Sequence, residues 1–154
     1  MLVRKLITSN IFEKIGAIID IKVGIPYLTD NNDDLIQTSE VATNAKIDTG
    51  SFATMISKSI LENNLNLKPI SSVFIRTISQ KGFIASVYLV ALWIEDELIH
   101  PAYHVLAKPY GRSLIGRDFF SQGFFRYDGN YSQFLYFEVQ KKQFEEISYP
   151  WWLE

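Results

Sequence analysis

Cysteine is absent from the 154 residues. Disulfide staples, thiolate nucleophiles and cysteine-based metal sites are therefore excluded, and the composition agrees with a reducing cytoplasm. Only two histidines occur, His100 and His104. Four-residue spacing brings two imidazoles onto one metal only on a helix, and Pro101 pushes His100 into extended backbone. On a strand rising about 3.3 Å per residue the pair would stand roughly 13 Å apart, so neither a metal nor another cofactor is expected. Runs of Lys and Arg are also missing. Fifteen basic residues against 17 acidic ones leave a net charge of −2, which gives no electrostatic footprint for nucleic acid. The longest apolar block, VYLVALWI at 87–94, is far shorter than the ~20 residues of a membrane helix. The opening MLVRKLITSNIFEKIG is broken by polar residues before a signal-type apolar block develops. A soluble, cytoplasmic chain with no membrane partner is the expectation.

What is present is the composition of one globular domain, 1–154, with 47% hydrophobic residues and enough length to bury a core without staples. Strand signals dominate. In AIIDIKVGI (17–25) Ile19, Ile21, Val23 and Ile25 alternate with Ile18, Asp20, Lys22 and Gly24, and Pro26 ends the ladder. Residues 27–42 read as an acidic, solvated connection. They lack the glycine and the ligand spacing of a calcium-binding loop. Thr43 to Ile47 and Phe52 to Ile56 read as short strands, and SKSILENN, opened by Ser57, as a short helix burying Ile60, Leu61 and Leu65 and ending at Asn64 or Asn66. VFIRTI and FIASVYLVALWI form a hairpin around the turn Ser79-Gln80-Lys81-Gly82. Glu95-Asp96-Glu97 turns the chain into a strand from Leu98 to Leu106. After the loop 108–112 come a strand at Ser113–Gly116, a helical turn from Arg117 through Gln122, and a hairpin turning at Asp128-Gly129-Asn130. The tail holds Trp151-Trp152, a terminal aromatic pair of the kind pinned onto its own domain or across a subunit boundary.

The stretch AKIDTGSFATMIS carries the chemistry. An apolar strand delivers Asp48 to Thr49-Gly50-Ser51, residues suited to a sharp turn whose hydroxyls anchor nearby backbone. Asp-Thr-Gly arises by chance in about one chain in thirty of this length, so alone it describes an ordinary turn as well as a site. A second motif, SLIGRDFF, follows some seventy residues on, with Leu114-Ile115-Gly116 as a strand end and Arg117-Asp118 directly after.

This pair of motifs resembles the retropepsins, the retroviral-type aspartic proteases and their cellular and bacterial relatives, over a core from about 17 to 137. The resemblance implies an all-β, single-domain closed barrel with one or two short helices, and a β-hairpin flap over the substrate formed around Ser79, Gln80, Lys81 and Gly82. It implies a polypeptide substrate and an aspartic endopeptidase in which two carboxylates share one proton. This chain has one acid in the required context, Asp48. The resemblance therefore implies a homodimer that sets Asp48 beside its symmetry copy, with the segments 1–16 and 138–154 at the dimer interface. Thr49 is then expected to hydrogen-bond across the two-fold axis, Gly50 to let substrate backbone approach, and Ser51 to donate to the outer carboxylate oxygen. Leu114 and Ile115 are expected to line the cleft, Gly116 to allow tight strand crossing, and Asp118 to support the site from below. Arg117 departs from the retroviral pattern, since Phe52 stands where the arginine's usual acidic partner would be, and another partner is expected.

Two other readings remain beside it. One is a domain of the same fold that binds peptide or only dimerises without hydrolysis. The other is a phosphate-binding or phosphorylated aspartate, which would need a much longer chain or a parallel α/β sheet.

Overall fold

Period-two alternation shapes the first barrel strand, whereas the later strand Glu97–Lys108 is buried almost throughout. In β2 (Ile18–Gly24) Ile19, Ile21 and Val23 are buried while Asp20 is exposed, the pattern of a strand with one face on a core. The computed structural model describes residues 2–9, 15–27, 39–76, 81–121, 123–128, 134–142 and 147–153. β2 pairs antiparallel with β3 (Glu40–Ile47). β3 begins before the expected Thr43, because its ladder with β2 runs out to the Gly24–Glu40 pair. Of the acidic connection, residues 28–38 lie outside the described residues.

A ring of strands follows. β2 pairs with β6 (Gly82–Ile94), which turns through Glu95-Asp96 into β7 (Glu97–Lys108). Glu95 adopts a left-handed φ of 53° there, and Lys22 Nζ reaches Asp96 at 2.9 Å and Glu40 at 3.6 Å. β7 lies parallel to β4 (Met55–Ser57), and β4 meets β8 (Ser113–Ile115) at the antiparallel pair Met55–Leu114. β8 returns parallel to β3. The circuit β7-β4-β8-β3-β2-β6 thus closes on β7 as a six-strand barrel, and closure removes the edges that an open sheet would expose.

Three further features attach to the ring. β5 (Ser71–Arg76) pairs with β6 from Ser71–Val87 to Arg76–Gly82 and forms the expected hairpin. β11 (Ile147–Ser148) runs parallel to β7 beside Ala102 and Tyr103. A separate sheet, in the order β1 (Leu2–Thr8), β10 (Phe134–Gln140), β9 (Phe124–Asp128), turns Val3, Leu135, Phe137 and Val139 onto the barrel core. The turn at Gly129-Asn130 lies outside the described residues.

Two short helices complete the described chain. In α1 (Ile60–Asn64), Ile60 and Leu61 are buried together with Leu65 just beyond, as their spacing predicts. Its bonding is of the wide π type, with the Leu65 N–H on the Ile60 carbonyl at 3.0 Å. Asn66, at φ 52°, ends it in the left-handed region. α2 (Arg117–Phe120) is one turn, shorter than the expected 117–122.

The barrel interior and the inner face of the small sheet form one core, including Ile19, Ile21, Ile56, Leu92, Ile99, Ile115 and Phe137, each at most 1% exposed. Burying each such side chain contributes about 1.5–3 kcal/mol. A second, smaller cluster of Ala53, Ile75, Ala85, Val87 and Leu106 sits under the β5–β6 hairpin, with Phe52, Met55, Val73, Trp152 and Leu153 packed against it. Among the described residues no helix is long and apolar enough to cross a membrane.

Candidate active site

β3 ends at Ile47 and hands the chain to Asp48, whose N–H donates to the Ile115 carbonyl at 2.9 Å. The backbone then folds back on itself. The Ser51 N–H donates to the Asp48 carbonyl at 3.1 Å, and the Gly50 N–H donates to Asp48 Oδ1 at 2.9 Å. This is an Asx-type turn, in which the carboxylate is oriented by the backbone two residues later. Asp48 is half-buried, and no hydrogen bond links its Oδ2 to a described residue.

The second motif braces the first. Arg117 N–H donates to the Ser51 carbonyl at 2.9 Å, and its guanidinium (Nη1) donates to the Thr49 carbonyl at 2.7 Å. The partner left open by Phe52 is therefore a main-chain carbonyl of the Asp48 turn itself. Gly116 passes so close that an added Cβ would stand 2.5 Å from the Ala53 carbonyl oxygen and 2.9 Å from that of Ser51. Only glycine fits this crossing. Residues nearly seventy positions apart are thus sewn into one unit by the parallel pairing of β3 with β8.

Asp118 lies behind this unit as a hub. Its Oδ1 accepts from Thr54 Oγ1 at 2.8 Å and from the Phe119 N–H at 2.8 Å. Its Oδ2 accepts from the Thr54 N–H at 3.0 Å and from Trp152 Nε1 at 3.0 Å. Thr54, fully buried, also accepts from the Gly116 N–H through Oγ1 at 3.2 Å, and its carbonyl accepts from Leu106 N–H at 3.1 Å. Sequence reasoning missed Thr54 and the docking of Trp152 on Asp118. The only available signal was a hydroxyl residue six positions after Asp48, and that pattern is too common to single it out.

Three expectations are corrected. The Ser51 hydroxyl donates to the Ala53 carbonyl at 2.7 Å and not to the Asp48 carboxylate. A hydroxyl has one proton, and the bend at Phe52-Ala53 puts that carbonyl nearest. The same bend delays β4 to Met55, so Phe52–Thr54 are not strand. Ile115 does not line a cleft. It is fully buried in the main core, while its neighbour Leu114 points the other way and is half-buried, as alternation on a strand requires.

Thr49 and Gly50 are exposed at the tip of the turn. Of the hairpin tip, Lys81 and Gly82 are exposed, and Gly82 packs under the Phe74 ring. Ser79 and Gln80 lie outside the described residues. Next to Asp118, burial and the carboxylate's charge hold the Tyr103 phenol well above the usual range. Burial, aided by the Lys142 charge, pushes His100 down to about 3. His100 stacks on Tyr103 at 4.3 Å. Both histidines are buried on β7, and among the described residues no three His, Asp or Glu side chains gather as a metal site would need.

The described strands form the closed, mostly β barrel that the resemblance to the retropepsins implies, and the two motifs meet on it as an Asp-Thr-Gly-Ser turn braced by a Gly-Arg-Asp turn. No protein-family model matches the sequence, and no curated protein matches it. Among solved structures the chain is similar to a retropepsin-like aspartic protease from Rickettsia conorii, at 17% identity and a TM-score of 0.49, over 90% of this chain and 92% of that one. It is also similar to the Simian Foamy Virus (mac) protease, at 19% identity and a TM-score of 0.41, over 64% of this chain and 86% of the viral one.

Proposed function

We propose that the protein is an aspartic endopeptidase that works as a homodimer, each subunit supplying one Asp48. The observation that carries this reading is the Asp48 carboxylate itself. One oxygen is oriented by the Gly50 N–H, and the turn is fixed on the far side by Arg117 and Gly116. An acid held in this way, with no described residue hydrogen-bonded to its second oxygen, can supply half of a carboxylate dyad. Two such groups about 3 Å apart share one proton, because both cannot ionise at that separation. The ionised Asp48 removes a proton from a water, whose oxygen attacks the scissile carbonyl carbon. The protonated Asp48 of the partner gives its proton to the carbonyl oxygen. Collapse of the tetrahedral intermediate breaks the C–N bond as the amine takes a proton, and the dyad is left with one proton again. The β5–β6 hairpin covers the extended substrate from above in this reading.

A peptide-library digest at pH 4–7 tests the proposal. Acid-favoured cleavage that is blocked by pepstatin-type inhibitors and lost in Asp48→Asn supports it. A verified dimer that binds peptides without cutting any identifies a binding module of the same fold instead.

A further inference from the structure

The segment 147–153 folds back along the barrel towards the Asp48 turn. β11 pairs with Ala102 and Tyr103, and the Tyr149 ring lies 5.1 Å from that of His104. Trp151 and Trp152 then meet Phe52, the residue after Ser51, edge to face with ring centroids 5.8 and 6.4 Å away. Trp152 and Leu153 pack on the small apolar cluster that includes Ala53 and Leu106. The indole Nε1–H of Trp152 donates to Asp118 Oδ2 at 3.0 Å.

That last bond completes the acceptor capacity of the carboxylate. Asp118 receives four donors, two on each oxygen: both polar groups of Thr54, the Phe119 N–H and the indole. An ionised carboxylate offers about four lone-pair sites. Its orientation is therefore set by contributions from three separate stretches of chain, of which the tail is one. Thr54 passes the constraint on to the Gly116 N–H. Gly116 in turn abuts the Ser51 and Ala53 carbonyls, and so the turn that carries Asp48.

We propose that Trp152 is a positioning residue: the tail of each subunit clasps its own Asp48 turn, through Asp118 and Thr54 on one side and Phe52 on the other. The inference rests on the reading of Asp48 as catalytic. Positioning of this kind acts on the reacting geometry more than on substrate affinity. Trp152→Phe removes the N–H and keeps a ring against Phe52. It is expected to lower kcat by about tenfold or more while KM stays within about threefold. Amide exchange at Thr54 and Gly116 accelerates in the same variant. Leu153→Ala, which trims the same apolar cluster without touching Asp118, lowers stability and leaves kcat within about twofold.

Cleavage by Trp152→Phe at the wild-type rate overturns the proposal, and so does an equal kcat loss in Leu153→Ala. If the wild-type dimer cleaves no peptide, the catalytic reading fails. The tail-to-turn link is then judged on exchange alone: unchanged protection of the Thr54 and Gly116 amides in Trp152→Phe overturns it, and lost protection upholds it.

Discussion

Acid is where a carboxylate dyad works best, and acid is also where this fold is expected to weaken, through His100. The imidazole is buried in β7 between the stacked Tyr103 ring and the edge of Phe119, with the positive charge of Lys142 nearby. Its pKa falls from 6.5 to about 3 in the folded protein. The folded state thus keeps His100 neutral through mild acid, while the unfolded chain binds a proton below pH 6.5. Above that pH the group costs nothing. As pH falls from 6.5 towards 3, stability is lost at about 1.4 kcal/mol per unit, which is roughly 3 kcal/mol by pH 4.5. That is a large share of the 5–15 kcal/mol typical of a domain. Equilibrium urea unfolding at several pH values between 7.5 and 4.5 measures it, with His100→Gln as the non-titrating control. Carboxylates titrate in both proteins, so the difference between the two curves isolates the histidine. Wild type is expected to lose stability more steeply than the variant below pH 6.5. Parallel curves over the whole range would refute the reasoning.

Two further outcomes follow from the braced turn. Thr54→Val keeps the shape but removes the hydroxyl that serves both Asp118 and the Gly116 N–H. It should cost about 2–4 kcal/mol in denaturant unfolding, with most of the loss recovered in Thr54→Ser. Gly116→Ala forces a methyl into the Ala53 and Ser51 carbonyls. It should destabilise by about 2–3 kcal/mol and abolish cleavage at temperatures where circular dichroism still reports a folded barrel. A variant within about 0.5 kcal/mol of wild type would show that the crossing is looser than its geometry.

Much of the barrel was legible because strands with one buried face write period-two alternation into the chain, as Ile19, Ile21 and Val23 do. The two motifs were legible because turns and close crossings favour particular residues: Asp48 turns back onto the Gly50 N–H, and Gly116 stands where a side chain does not fit. Other features depend on pairings across long sequence separations, which local pattern does not encode. Nothing near Thr54 announces that it meets Asp118, and nothing near Trp152 names its acceptor. The start of β3 and the late start of β4 were set by a ladder partner and by the Ser51–Ala53 bend, not by propensity. Ile115 was misplaced for a related reason. Its motif marked it for the cleft, whereas strand alternation turns it into the core and leaves Leu114 half-buried on the other side.

The central claim is that each chain holds half of a catalytic centre. Mixing wild type with Asp48→Asn at constant total protein, after full subunit exchange, tests it most directly. If both carboxylates are required, only pairs of wild-type chains cut, and an equal mixture retains about one quarter of the wild-type activity. Retention of about one half would mean that each chain acts alone, and would contradict the account.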